Sequence, residues 1–262
     1  MILIKHELIQ SAKSFLIWTL SISMFIMVCV FMFPEIEQEM GSASEMFASM
    51  GAFSDAFGLN ELDMGSLMGF YSVECGSILG IGGAFFAALT GANILSKEEK
   101  DHTAEFLMAH PVSRIRIITE KLLAVMSLVL LLNLFIFIIS VASMGMIGEE
   151  IPWRNLSLLH IANLLMQLEV AGVCFGLSAF LRRGSTGAGL GLAAGLYFLN
   201  IVANISEQAE FLNYLTPFAY TDGADILSDG QLNAGIIALG MVYMLVSVGA
   251  AYWKYTRKDI HC

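Results

Sequence analysis

The chain carries 262 residues, 57% hydrophobic and only 14% charged, with a mean hydropathy of +0.73 and a formal net charge of -10. A water-soluble domain of this length lacks the polar surface to cover so much apolar side chain, and 13 Lys plus Arg against 23 Asp plus Glu argue against nucleic acid as a partner. The expected fold is an all-α integral membrane protein, a single transmembrane domain over residues 1–262.

Six apolar runs of roughly 20 residues, each enough to cross about 30 Å of hydrocarbon, fall at about 14–33, 72–95, 122–147, 157–181, 185–204 and 232–253. Lys5 and Lys13 precede the first run. Its length exceeds a signal core of about 7 to 15 residues, and Phe31-Met32-Phe33-Pro34 offers no small-residue cleavage site, so it reads as a retained span. Cys29, Cys75, Cys174 and Cys262 form no CxxC pair and read as small buried hydrophobes, against a disulfide framework or a zinc site.

Positive charge sets the orientation. With the N-terminus inside, Lys5, Lys13, Lys97, Lys100, Arg114, Arg116, Lys121, Arg182, Arg183, Lys254, Arg257 and Lys258 share one side, which leaves only Arg154 opposite. The expectation is a multi-pass protein of the cell membrane, with both termini cytoplasmic, acidic outer loops and the lipid bilayer as its solvent.

The largest inner loop lies between spans two and three. Ser96 and Glu99 have the spacing of a capping box, residues 103–110 suit a short helix, Pro111 stops it, and Ser113 is a suitable N-cap for the next helix. A short helix held there between two rigid spans is a lever; the alternative is a solvated loop whose basic residues only fix topology.

The pieces Glu98-Glu99, Thr103-Ala104-Glu105-Phe106-Leu107, His110-Pro111-Val112-Ser113-Arg114 and Lys121, in this order and membrane position, resemble the pattern of permease subunits of the type-2 ABC exporter family. His102 departs from it, standing where that family often has Gly. The resemblance extends to the architecture: a short amphipathic N-terminal segment, six spans, and a polar extracellular break before the last, where Leu215-Thr216-Pro217-Phe218 is a weaker echo. It implies that the first inner loop is a coupling helix resting in a groove of a separate ATPase subunit, present in two copies, with the second inner loop nearby. The ATPase-coupling residues so implied are Glu98, Glu99, Thr103, Glu105, Phe106, Leu107, His110, Pro111, Arg114, Arg182 and Arg183. ATP and Mg then belong to the partner subunit, this chain binds no cofactor or metal and is no enzyme, and a second permease, identical or paralogous, completes the dimer. The sequence agrees in containing no GxxxxGK[ST], since Gly184-Ser185-Thr186-Gly187-Ala188-Gly189 lacks the Lys.

Within the spans, Gly76, Gly80, Ala84, Ala88 and Ala92 recur every fourth residue, as do Gly187, Gly191 and Gly195. Such stripes let helices pack closely, inside one subunit or between two. Glu169 sits near the middle of span four, where a charge costs at least about 2.5 kcal/mol on insertion scales. It is a candidate for the translocation path or its gate, or else makes a structural hydrogen bond to Asn133 or Asn200. Glu74 lies near the outer end of span two, within reach of headgroups. Residues 205–231, broken by Pro217 and Gly223, suit a re-entrant extracellular segment more than a plain loop.

Two rivals remain. An ion-coupled secondary transporter would place carboxylates at the midplane of repeated halves, but spans one to three do not resemble four to six. An intramembrane protease would use Glu149, Glu150 and Arg154 with His160, yet the other histidines fall on the opposite side. The reading that absorbs most of the sequence is export of an amphipathic substrate, such as a bacterial peptide toxin or antimicrobial.

Overall fold

The computed structural model describes residues 2–48, 62–97, 112–181 and 186–257. Among them there is no strand. The elements are α1 (Ile2–Ala48), α2 (Leu67–Asn93), α3 (Arg114–Ile147), α4 (Trp153–Phe180), α5 (Thr186–Ile205), two 3-10 helices (Glu207–Tyr214 and Pro217–Thr221), α6 (Gly223–Asp229) and α7 (Ala234–Arg257). Six of them, α1 to α5 and α7, are long and apolar enough to cross a membrane. Each predicted run falls on one of these helices, but the ends differ. Helix α1 runs unbroken from Ile2 through the first run, so the short N-terminal segment is the beginning of the first membrane helix, and α3 begins at Arg114.

Local chemistry sets several boundaries. Ser113 caps α3 as predicted, its hydroxyl accepting from the Arg116 N–H at 3.4 Å. Gly148 ends the same helix at φ 82°, a left-handed position that a residue without Cβ adopts at least cost. Ser96 donates to the Ala92 carbonyl at 3.4 Å and α2 ends at Asn93, while Glu99, the other half of the expected capping box, lies outside the described residues.

Helices α2 and α4 form the central pair, with α1 and α3 packed on one flank and α5 and α7 on the other. Small residues bring the central backbones together. A Cβ on Gly91 would stand 2.4 Å from the Ala171 carbonyl oxygen, and one on Gly83 would overlap the Gln167 amide. Gly76 and Gly80 face Leu159 and Asn163 across the same contact. The α5 stripe differs: nothing lies within 4 Å of a Cβ built on Gly187, Gly191 or Gly195, whereas off-stripe Gly189 meets Ala88 and Ala92 of α2. Tyr71, Phe86, Ile136 and Phe175 fill the buried centre.

Candidate functional site

The start of α1 and the end of α7 both meet the first turns of α3 and so share one face, called here the terminal face. Of the predicted coupling residues, Glu98, Glu99, Thr103, Glu105, Phe106, Leu107, His110, Pro111, Arg182 and Arg183 lie outside the described residues. Arg114 lies within them, and so does the frame from which both loops leave and to which they return.

That frame is built from buried charge. Glu7 of α1 is 1% exposed and pairs with two lysines, Lys97 just before the first loop and Lys121 about two turns into α3, the latter at 3.1 Å. Lys121 is wholly buried and also donates to the Ile94 carbonyl at 2.6 Å, while Lys97 reaches Gln10 at 2.7 Å. One carboxylate thus clips α1 to the start of the loop and to α3. Beside it, Glu120 accepts from the N–H groups of Leu3 and Ile4 at 3.1 and 3.4 Å and from Arg116 at 2.8 Å. It serves as the cap that the first turn of α1 lacks in its own sequence, placing negative charge at the positive end of that helix. Arg114 donates to the Thr256 carbonyl near the end of α7 at 3.4 Å, and Thr119 meets the Tyr252 hydroxyl at 2.8 Å.

The two loops leave from adjacent points. The Leu95 N–H donates to Ser178 at 3.0 Å, and Thr186 donates to Asn93 at 3.1 Å, so the flanks of loop 98–111 are bonded to the flanks of loop 182–185. Sequence reasoning missed Glu7, Glu120 and Ser178. The (i, i+4) spacing of Arg116 and Glu120 was a readable signal; pairing across more than 80 residues was not.

At membrane depth a polar layer joins α2, α3 and α4. Tyr71 donates to Ser140 at 2.6 Å and lies 2.9 Å from His160, which also packs edge-on to Phe137. Asn133 donates to Gln167 at 2.8 Å, and Gln167 donates to the Leu79 carbonyl at 3.1 Å. These contacts engage His160 with Tyr71, while Glu149 and Glu150 are exposed at the α3–α4 turn, so the protease constellation does not assemble.

Glu169 stands apart from that layer. It is 2% exposed, and neither carboxylate oxygen has a hydrogen-bond partner. Asn133 is engaged by Gln167, and Asn200 faces a separate cavity of about 70 Å³ between α2 and α5, so neither supplies the expected hydrogen bond. Tyr220 faces it closely enough for a side-chain hydrogen-bond and charge interaction between the two groups, although neither meets the geometry of a formed hydrogen bond. Glu169 instead faces Gly240 of α7, where a Cβ would lie 2.0 Å from Oε2. Glu74 is exposed on α2.

Above Glu169 sits the segment between α5 and α7. Thr216 donates to the Leu196 carbonyl at 2.8 Å. Leu196 lies nine residues inside the Ile205 end of α5 (205 less 196), about 14 Å at 1.5 Å per residue. The chain therefore descends to the middle of α5 and returns. Irregular backbone at that depth requires cover by protein, and Thr216, Phe218 and Tyr220 are all buried. The returning arm is pinned by Asn204 to Asp222 at 3.2 Å and by Arg154 to the Gly230 carbonyl at 3.0 Å. Burial pushes the Asp222 carboxyl above its ordinary range, opposed by hydrogen bonds from the Ala224 N–H and Asn204.

Comparison with known proteins bears on this arrangement. A family model described as ABC-2 family transporter protein matches residues 1–260. The chain is also similar to YhcI, an uncharacterized protein of Bacillus subtilis (strain 168), at 23% identity over 201 residues, which cover 67% of this chain and 64% of that relative.

Proposed function

This chain belongs to the ABC-2 transporter family, and on that premise we propose that it is one membrane half of an ATP-driven exporter, set in the cell membrane with the terminal face toward the cytoplasm. Two ATPase subunits dock on that face, hold ATP and Mg, and carry out hydrolysis. A second permease, identical or paralogous, completes the dimer. The cargo is amphipathic, with peptide toxins and antimicrobials in its range.

The observation that carries this reading is the frame around loop 98–111. The flank that leads into it, residues 93–97, is bonded to α1 through Glu7, to α3 through Lys121, and to α4 and α5 through Ser178 and Thr186. A push on this loop by a docked subunit reaches four membrane helices at once, because buried ion pairs and hydrogen bonds transmit displacement while solvated loops absorb it. Closure of the ATPase pair then shifts the spans between two packed arrangements.

Affinity purification from native membranes, followed by mass spectrometry and an ATPase assay, tests the proposal. The expected result is a stoichiometric Walker-A protein with vanadate-sensitive hydrolysis, uncoupled from transport by Glu105→Arg. Recovery of this chain alone, without ATPase activity even after cross-linking through the lysines of the 97–121 region, overturns it.

A further inference from the structure

The orphan carboxylate of Glu169 opens onto a cavity of about 170 Å³, in the gap between α5 and α7. Leu192, Leu196, Pro217 and Ile236 belong to its apolar wall, Gly240 leaves room for the carboxylate, and Tyr214 and Leu215, 60% and 49% exposed, form the rim. A cavity of about 150 Å³ holds a benzene ring, so this one takes a head and short hydrocarbon stem of about seven to ten heavy atoms.

Chemistry narrows the occupant. A buried carboxylate with no formed hydrogen bond, and only a neutral hydroxyl such as that of Tyr220 facing it, costs several kcal/mol, and an occupant that supplies charge and donors offsets that cost. A calcium or magnesium ion does not fit the wall: calcium needs six to eight oxygens and magnesium a near-ideal octahedron, whereas the lining offers one carboxylate, a Thr216 hydroxyl committed to the Leu196 carbonyl, and Tyr214 and Tyr243, whose carbonyl and hydroxyl are bonded to each other. A neutral or anionic head leaves the charge uncompensated. A primary or secondary ammonium supplies both charge and N–H donors, two oxygens accept from it, and its hydrocarbon lies against the leucines and isoleucine. The exposed rim lets a longer tail extend into the bilayer.

We propose that this cavity binds the ammonium head of an amphipathic amine, with Glu169 as its counter-ion and Gly240 as the position that makes room for the carboxylate. The proposal deepens the exporter reading by naming the chemistry of the cargo. It rests on that reading for the cargo role, while binding itself requires neither ATP nor a partner.

The test is calorimetric titration of the full chain in nanodiscs, without nucleotide and with the signal of empty nanodiscs subtracted. Hexylammonium is the probe, with hexanol and hexyltrimethylammonium as controls that lack the charge and the N–H donors. Hexylammonium is expected to bind wild type about tenfold or more tightly than either control, and to lose that advantage in Glu169→Gln. Gly240→Ala, which keeps the charge but fills the space beside it, loses it as well. Equal affinity for hexylammonium and hexanol on wild type, a comparison that needs no variant, overturns the proposal, as does unchanged binding in Glu169→Gln. Failure to recover an ATPase partner would refute the exporter reading and leave this result standing.

Discussion

Glu7 and Glu169 are almost equally buried, 1% and 2% exposed, and their surroundings could hardly differ more. Glu7 is held between Lys97 and Lys121 in the seam joining α1, α2 and α3, while Glu169 ends at a cavity with both oxygens unpartnered. A buried acid with two cations holds helices together. One with none is a cost to the fold, which the proposed occupant offsets. The terminal face is thus the fixed part of the molecule, and the α5–α7 gap the part kept open.

The sharpest way to break this contrast is to remove the paired carboxylate. Glu7→Gln leaves Lys121 buried without its counter-charge and is expected to cost about 3–5 kcal/mol in thermal or denaturant unfolding, with Glu7→Leu plus Lys121→Met recovering most of the loss. Next in size is the central packing. Gly91→Ala forces the α2 and α4 backbones apart against the Ala171 carbonyl and is expected to cost about 1–3 kcal/mol. Gly191→Ala, with open space before it, changes the stability of the single chain by less than about 0.5 kcal/mol. Tyr71→Phe strips the polar layer of its shared hydroxyl, leaving Ser140 without its donor, and is expected to cost about 1–2 kcal/mol.

The smallest effect is a dependence on pH. Burial raises the Asp222 carboxyl in the folded chain above its ordinary value of 3.8. The folded state therefore binds the proton more readily than the unfolded one, so this group favours folding most at pH below 3.8 and loses that contribution as pH rises through its raised folded value. Asp222→Asn, which can still accept from the Ala224 N–H as an N-cap, is expected to flatten that part of the profile of unfolding midpoint against pH.

Much of this was legible in residue order. Six runs of apolar length locate six helices because in hydrocarbon only a helix satisfies its own backbone, and a single acid in the run from Leu156 to Phe180 marks Glu169 with no further information. The re-entrant segment was readable from Pro217 and Gly223 breaking a half-apolar stretch. What residue order concealed was long-range pairing. Nothing near Glu7 says that its partners lie at 97 and 121, and nothing near Gly240 sets it apart from the other glycines of the chain. Spacing also misleads about direction: the stripes of α2 and α5 have the same period, yet the first packs against α4 at Gly76 and Gly80 and against α5 at Ala88 and Ala92, while the second faces open space and leaves the contact to off-stripe Gly189. The coupling motif itself, from Glu98 to Pro111, lies outside the described residues, and only its anchors are placed.

The most direct test of the contrast is a side-by-side unfolding measurement of Glu7→Gln and Glu169→Gln in the same nanodiscs. The account predicts a large loss of stability for Glu7→Gln and a midpoint at or above wild type for Glu169→Gln, because a neutral amide relieves an uncompensated charge. A loss in Glu169→Gln as large as that in Glu7→Gln would contradict it, making Glu169 a structural group and the α5–α7 gap a flaw in packing.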